Sequence, residues 1–310
     1  KIEAKYLSLI TPTRWFAGGK GLDDFRDYML DNQHLQELHD FIHPEEVFPA
    51  TNNRGGICYF IQNNSYDNSS MSVRITTHME NNETVTSMRP LRIGNLDIFI
   101  RYSQVIRILE KIGAFDNTFN GLSAHVSPRK PFGIESNIIE SKLFYSSPEG
   151  MIEPVLCYAK GQRKGYIEKN IVSNFEEYGN VWKVLTPYAN NIGTELNDDN
   201  QNSFSVAPNC VCTETYLVIG ADLHLNQQSA ENLSNYLKTK FARCLHCAAK
   251  ISQHGTAKTY RFVPLQDFTE HSDIDWSQPI DKIEQQLFDK YHLLPEEQEF
   301  IKKIIKRYNR

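Results

Sequence analysis

The stretch FIHPEEVFPATNNRGGICYF, residues 41–60, holds the aromatic side chain whose setting most directly indicates chemistry. Phe48 lies between Val47 and Pro49, in a proline-bounded loop that joins two apolar, strand-like runs. A ring at such a loop tip either plugs a local core or offers a flat surface on which a nucleobase can stack. Enzymes that act on extruded bases hold them between aromatic and apolar side chains. Phe48 is therefore a candidate base-stacking residue.

Basic residues form two further candidate groups. The loop Ser127–Gly133, SPRKPFG, is rigid, basic and aromatic, so Arg129 and Lys130 could contact DNA phosphates or guanine edges. The alternative interpretation is an exposed proline-rich turn. The stretch 236–261 has six Lys or Arg and no acid. Five of these are weaker candidates for phosphate contact, namely Lys238, Lys240, Arg243, Lys250 and Lys258. A stacking ring and cationic contacts together suit an enzyme that acts on nucleic acid.

The cysteines allow two interpretations. The spacing C-x-C at 210–212 and C-x-x-C at 244–247 could supply a zinc site. However, Cys244 and Cys247 lie in a predicted long helix among small apolar residues, where free cysteine behaves as a small hydrophobe. Burial as core residues is the favoured interpretation, and we predict no metal ligand.

The glycine-rich run FAGGKG, residues 16–21, lies between a predicted strand and a predicted helix, where backbone amides could cradle a phosphate. It fits neither the P-loop spacing nor G-x-G-x-x-G. Glycines that simply form a tight turn are the favoured explanation. No paired carboxylates, Ser/His/Asp order or His-x-x-x-His spacing stands out, so residue types alone give no complete active site.

Composition limits the class of protein. The chain has 310 residues, which suggests about two domains, and 40% are hydrophobic, enough for a substantial core. The net charge of −5 argues mildly against nucleic acid, although it averages a basic stretch with the acidic stretch 267–299. No run approaches the roughly 18 apolar residues of a membrane span, and no signal peptide is recognisable. We expect a reduced, cytoplasmic, prokaryotic protein, cut from a longer polypeptide because it begins at Lys1.

The elements that position these residues are α/β in the first hundred residues. The apolar run 5–11 predicts a buried strand, and the spacing within 22–30 predicts a helix. Strand, helix and strand in this order predict part of a doubly wound sheet that ends in an antiparallel hairpin. A domain boundary is expected near 90–97. The remaining predictions are strands at 35–42, 55–61, 72–77, 181–188 and 216–220, a hairpin at 155–166, and helices at 100–112, 230–251, 280–291 and 293–307.

Several stretches of the chain resemble a known enzyme family. The run from Leu9 to Phe60, LITPTRWFAGGKG through GGICYF, resembles the later half of the catalytic domain of DNA adenine-N6 methyltransferases from type II restriction–modification systems, in the gamma class. The stretches RKPFG, VWKVL, KISQHGTAKTYRFVPLQDF and DKYHLLPEEQEFIKKII resemble the later portion of such enzymes. The likeness is looser from about Ile134 to Val211.

The resemblance implies a fold and a function. The fold class is α/β: the C-terminal half of a Rossmann-like methyltransferase sheet, followed by a mixed α+β target-recognition domain with a helical tail. The implied domains are 1–95, 96–265 and 266–310. Phe48 would stack on the extruded adenine, and Arg14 and Trp15 would shape the cleft wall, although Trp15 could equally be core. Double-stranded DNA is the implied partner, alongside upstream catalytic segments, with or without a nuclease segment, of the same polypeptide.

The departures from the family limit what this chain is expected to do. The chain has no Asn-Pro-Pro-Tyr. In the family, the glycines that hold S-adenosylmethionine come before that motif, whereas FAGGKG corresponds to a segment that comes after it. S-adenosylmethionine is therefore expected only in the parent enzyme, and this chain is expected to keep a DNA-reading surface without turnover. The alternatives are a non-catalytic DNA-specificity or interaction module and, more remotely, a zinc-stabilised binding domain.

Overall fold

The strands and helices of this chain form two units. The computed structural model describes residues 4–19, 21–50, 55–80, 83–192, 201–250 and 252–305. The first unit comprises residues 1–115, 191–199 and 247–253, and the second comprises 116–190, 200–246 and 254–310.

The first unit is built on a five-stranded mixed sheet. Its elements are β1 (Tyr6–Pro12), α1 (Asp23–Leu30), β2 (Leu35–Phe41), β3 (Ile57–Asn63), the short α2 (Asn68–Met71), β4 (Val73–His78), β5 (Thr84–Arg89) and α3 (Ser103–Lys111). The strand order is β1-β3-β2-β4-β5. β2 and β4 are parallel, and the other neighbouring pairs are antiparallel.

One face of this sheet packs on a core that includes side chains of α1, of the segment after β1 and of Phe99. Leu38, Phe60 and Ile75 point into this core, as the alternation of side chains along a strand requires. Trp15 and Phe16 come from a 3-10 turn directly after β1, and they pack on the same core. The sequence therefore positions the segment after β1 by burying its aromatic rings.

The strand predicted at 5–11 is present as β1, but its predicted burial was wrong. β1 is an edge strand, and Leu7, Leu9 and Ile10 are 41%, 46% and 59% exposed. Residues 7 and 9 point to the core side of the sheet, and Ile10 points to the other side. Apolar side chains are therefore uncovered on both faces of this strand.

The second unit contains two three-stranded sheets and a helical end. Its elements are β6 (Pro154–Ala159), β7 (Arg163–Glu168), β8 (Lys183–Pro187), β9 (Phe204–Val206), β10 (Cys210–Cys212), β11 (Tyr216–Ile219), α4 (Gln227–Lys238), most of α5 (Lys240–Ala248), α6 (Ile280–Lys290) and α7 (Pro295–Ile304). The sheet orders are β10-β6-β7 and β11-β8-β9. A core that includes Phe132, Val155 and Leu185 joins the two sheets.

The predicted helix at 230–251 was wrong in one respect, because two helices occupy this stretch. α4 ends before Thr239, whose backbone is extended (φ −63°, ψ 147°), and α5 begins after it. The Thr239 hydroxyl donates to the Tyr236 carbonyl at 2.7 Å and accepts the Ala242 N–H at 3.2 Å. A threonine that caps the new helix in this way satisfies amide and carbonyl groups that the break leaves open.

The mixed α/β class is confirmed, whereas the Rossmann-like half-sheet stays a prediction. The domain limits 1–95, 96–265 and 266–310 also stay a prediction. α3 lies in the first unit, although the expected boundary near 90–97 would assign it to the second domain. None of the helices in the described ranges combines the length and apolar character that a membrane crossing requires.

A buried ion pair lies in the first unit at the end of β2. The Arg101 Nε lies 2.7 Å from the Asp40 Oδ2, and both side chains are buried. Arg101 also donates through Nη2 to the Gly55 carbonyl at 2.6 Å. Burial raises the pKa of Asp40 to about 6, and the Arg101 guanidinium opposes that rise. The pair therefore ties β2 to the backbone that enters β3.

We expect Asp40→Ala to lower the free energy of unfolding by about 3–5 kcal/mol, because it leaves the Arg101 charge buried without a counter-charge. The control is Asp31→Ala, which removes the partner of Arg92 in a more exposed ion pair, and about 1 kcal/mol or less is expected there. Urea unfolding followed by circular dichroism measures both values. Equal losses for the two variants would contradict the role given to the buried pair.

Candidate nucleic-acid interface

Phe48 lies on a short loop built by a proline turn. Residues Pro44–Glu46 form one 3-10 turn, and the N–H groups of Val47 and Phe48 donate to the Pro44 carbonyl at 3.1 and 2.8 Å. The Phe48 side chain is 40% exposed. A core plug requires a buried ring, so the structure favours the surface interpretation. Loop residues 51–54 lie outside the described ranges, and the stacking role itself stays a prediction.

A row of four half-buried rings lies on the sheet where β2 leads into this loop. His39 stacks on Tyr59 with a centroid distance of 4.4 Å, and Phe41 stacks on His78 at 3.9 Å. The His39 Nδ1 lies 3.1 Å from the His78 Nε2. Burial, and then the neighbouring His39, lower the pKa of His78. The sequence prediction missed this row. The spacing of His39 and Phe41 places them on one face of β2, but the rings that they stack on are determined by strand register, which the sequence does not show.

The glycine-rich run FAGGKG forms a turn whose Gly19 N–H is bound by a nearby side chain of the same chain. Gly18 and Gly19 have φ values of +71° and +82°, which glycine adopts at little cost. The Gly19 N–H donates to the Asp23 Oδ1 at 3.1 Å, and Arg26 donates to the same oxygen at 2.7 Å. A carboxylate therefore lies where a phosphate would have to bind. Lys20 lies outside the described ranges.

Trp15 is a core residue, the second of the two roles that its position allowed. Its ring is buried and packs edge to face on Phe16 at 4.7 Å and on Phe25 at 5.9 Å. The neighbouring Arg14 is exposed. Only Arg14 thus has a side chain placed for contact with a partner.

Arg129 and Lys130 are both on the surface, and each is paired with a carboxylate. The Arg129 side chain is 53% exposed, and its Nη2 lies 2.7 Å from the Glu214 Oε2. Its guanidinium lies over the Tyr188 ring, 4.9 Å from the centroid. Lys130 forms an ion pair with Glu135. The structure thus places both predicted cations where a nucleic acid could reach them, with their charges largely compensated.

The basic stretch 236–261 does not form a continuous cationic face. Lys258 is exposed, and Lys238 and Lys240 are half-buried. Lys240 donates through Nζ to the Lys302 carbonyl at 2.7 Å. Arg243 and Lys250 are each only 1% exposed. These two side chains therefore have no surface on which a phosphate could bind, because residues 241–250 are all buried.

The cysteines behave as small apolar residues. Cys244 and Cys247 are buried in α5, Cys210 and Cys212 are buried in β10, and none of the four forms a disulfide. Burial raises the pKa of Cys212 well above its ordinary value, which favours the neutral thiol. Within the described ranges, no group of three or more His, Cys, Asp or Glu side chains could hold a metal ion. The zinc-site alternative therefore has no support among these residues.

Comparison with known proteins relates part of the chain to methylases. Residues 1–48 match the family described as Eco57I restriction-modification methylase. An "Uncharacterized adenine-specific methylase" of Mycoplasma pneumoniae (strain ATCC 29342 / M129 / Subtype 1) is 29% identical over 98 residues, which are 31% of this chain and 23% of that protein. The matched part therefore spans about a quarter of that relative.

Among solved structures, the type IIG restriction endonuclease BpuSI superposes with a TM-score of 0.35 at 13% sequence identity. The superposition covers 93% of this chain and 42% of that chain. A score of this size supports no conclusion about function.

The buried Lys250 predicts a pH dependence of stability. Burial lowers its pKa to about 7, and its Nζ donates to the Ile192 carbonyl at 2.6 Å. In the unfolded chain the same group keeps its proton up to about 10.5, so the unfolded state binds more protons between the two values. We expect this group to raise the free energy of unfolding by about 4 kcal/mol from pH 7 to pH 10.

Lys250→Met should remove this component and flatten the rise, whereas Lys258→Met, at an exposed position, should keep the wild-type slope. Urea titrations at pH 7, 8.5 and 10 measure the three slopes. If wild type and Lys250→Met show the same slope, Lys250 does not titrate as a buried group.

Proposed function

We propose that this chain, whose residues 1–48 match the Eco57I restriction-modification methylase family, is the C-terminal part of a site-specific DNA adenine-N6 methyltransferase. The match of residues 1–48 to the methylase family carries the proposal. In this proposal the first unit supplies the adenine-stacking loop, and the second unit recognises the DNA target. The enzyme would belong to the gamma class, within a type II restriction–modification system.

The edge strand β1 supports the proposal that the sheet is incomplete by itself. Its residues at 7, 9 and 10 expose apolar side chains on both faces, and one of its edges has no neighbouring strand within the described ranges. Proteins normally cover, charge or shorten such an edge, because an exposed apolar strand pairs with other chains. A further strand from the same polypeptide would pair with the edge, and segments packed on the two faces would cover the side chains.

The methyl donor in the parent enzyme would be S-adenosylmethionine, which supplies the transferred methyl group. No residue of this chain is assigned to hold it. The FAGGKG turn is unsuited to an anionic or nucleotide ligand, because Asp23 already occupies the Gly19 N–H. The segment that holds the cofactor, and the Asn-Pro-Pro-Tyr segment that holds the adenine amino group, would lie upstream.

Phe48 would act by holding the extruded adenine. Extrusion removes the base from its stack and costs a few kcal/mol, which a ring in the pocket partly restores. The 40% exposed ring meets the first requirement for such a contact, and the proline turn before it restricts the loop. The contribution of this chain is therefore to orient the base and to exclude water from one of its faces.

Double-stranded DNA would be contacted by the exposed or half-buried cations among those predicted. These are Arg129, Lys130, Lys238, Lys240 and Lys258. Arg243 and Lys250 are left out because they are buried. With few uncompensated charges available, binding should depend on a limited number of phosphate contacts and correspondingly weakly on salt.

Methyl transfer by the complete gene product tests the function and the role of Phe48. With tritiated S-adenosylmethionine and duplex DNA, we expect label on the N6 of adenine at a defined sequence. Phe48→Ala should lower kcat/KM about 10- to 100-fold, because stacking on one base contributes about 1–3 kcal/mol. Phe48→Trp keeps a ring and should stay within about fivefold of wild type. Val47→Ala is the control, since Val47 is the exposed neighbour of Phe48.

The wild-type result and the variant result answer different questions. A complete gene product that leaves adenine unmethylated would refute the methyltransferase proposal. Equal kcat/KM for wild type and Phe48→Ala would refute the stacking role alone.

The 310-residue chain alone should transfer no methyl group under the same conditions, because the donor-binding and amino-group-binding segments are absent from it. A filter assay with tritiated donor measures this, and the complete gene product at equal concentration is the positive control. Turnover by the chain alone would show that the catalytic groups have been assigned to the wrong segment.

A further inference from the structure

We infer that Arg129 reads a guanine of the target sequence through the major groove, with Tyr188 and Glu214 as its positioning residues. The inference rests on the proposed function and deepens it, because it names a specificity-determining contact. Arg129 and Lys130 are both surface cations, but their surroundings differ. Of these two cations, only Arg129 has both a ring beneath its charged group and a carboxylate beside it.

The loop that carries Arg129 is fixed on both sides. Before it, the Ser127 N–H donates to the Val218 carbonyl at 2.8 Å, and the Val218 N–H donates to the Ser127 Oγ at 2.9 Å. After it, the Asn174 Nδ2 donates to the Pro131 carbonyl at 3.0 Å. Two prolines in SPRKPFG restrict the backbone further. The Arg129 backbone is therefore held by the β11 strand on one side and by residue 174 on the other.

The Arg129 side chain is also restrained. Its guanidinium lies over Tyr188, and the Tyr188 ring itself stacks on His254 at 4.9 Å. Glu214 is fixed by its own N–H, which donates to the Ile134 carbonyl at 2.8 Å. A guanidinium held by a ring face and one carboxylate keeps a defined plane. Such a plane is what two parallel hydrogen bonds to the N7 and O6 of guanine require.

Donors remain available for a base. A guanidinium has five N–H donors, and Glu214 is the one hydrogen-bond acceptor of Arg129 within the described part of the chain. The contact uses one N–H of Nη2, so the second N–H of Nη2 and that of the nitrogen beside it remain to form a two-bond fork. The side chain is 53% exposed, whereas that of Glu214 is only 16% exposed. The cation, rather than the carboxylate, is thus the group presented to a partner.

The charge balance favours a base edge over a phosphate. Arg129 is paired with Glu214, and the adjacent Lys130 is paired with Glu135, so the four side chains together carry no net charge. A neutral group attracts a phosphate weakly, and the nearby carboxylates would repel it. The acceptors of guanine are uncharged, so they accept hydrogen bonds without this penalty.

The second unit offers a matched control for this arrangement. The Lys169 Nζ lies 4.2 Å from the Phe175 ring centroid and 3.1 Å from the Glu176 Oε1. It therefore has a ring and a carboxylate as Arg129 does, but an ammonium group cannot form the planar two-bond fork. Removing it tests whether any restrained surface cation has the same effect.

The experiment determines the methylated sequence in cells. The complete gene product and its variants are expressed in a host that lacks adenine-N6 methylation, and the genomic DNA is sequenced by a method that detects N6-methyladenine. Wild type should give one motif with a required G·C pair. Arg129→Ala and Arg129→Lys should each relax that pair by about 10- to 100-fold, with the rest of the motif unchanged. Lys169→Ala should keep the wild-type motif.

Each outcome decides between the two proposals. An unchanged motif in both Arg129 variants, at any level of methylation, would overturn base reading by Arg129 and leave the proposed function standing. Wild-type DNA without N6-methyladenine would overturn the proposed function and this inference with it. Arg129→Lys keeps the stem and the charge, so relaxation in this variant supports the inference even if the alanine variant is unstable.

Discussion

The buried contact between Asp40 and Arg101 fixes the frame on which the Phe48 loop depends. Arg101 reaches from the segment before α3 to the end of β2 and also binds the Gly55 carbonyl. The Thr13 hydroxyl donates to the same carbonyl at 2.7 Å, so two separate segments hold the residue that leads into β3. Gly56 follows with φ +101°, and a Cβ atom there would lie 2.4 Å from the Phe41 carbonyl oxygen. The two ends of the loop are therefore brought together by backbone packing that permits no side chain.

Local patterns predicted most elements because they depend on neighbouring residues. The helices at 22–30, 100–112 and 280–291 and the hairpin at 155–166 are present within a few residues of their predicted limits. The exposure of β1 could not be predicted, because whether an apolar strand is central or at an edge depends on strands far away in sequence. The break at Thr239 had a local signal, a residue type that commonly caps helices, but the apolar spacing on both sides favoured one long helix.

The functional residues show the same division between local and long-range information. The exposed Phe48 follows from its proline-bounded loop, which is a local feature. The ring row of His39, Tyr59, Phe41 and His78 depends on register across three strands, which spacing along the chain does not give. Charge was the least informative signal, because Arg243 and Lys250 were read as surface cations from a run of basic residues and are buried. A cation in a helix is informative about a partner only when the face it occupies is known.

The contact between His39 and His78 has a consequence for where protons lie on the ring row. A hydrogen bond between two ring nitrogens contains one proton, so the tautomer of one imidazole determines that of the other. The Glu37 carboxylate lies 3.5 Å from the His39 Nε2, which favours a proton on that nitrogen and leaves Nδ1 as the acceptor. The His78 Nε2 then carries the shared proton. The Glu37 carboxylate and the contact between the two rings thus together determine the tautomers of both imidazoles.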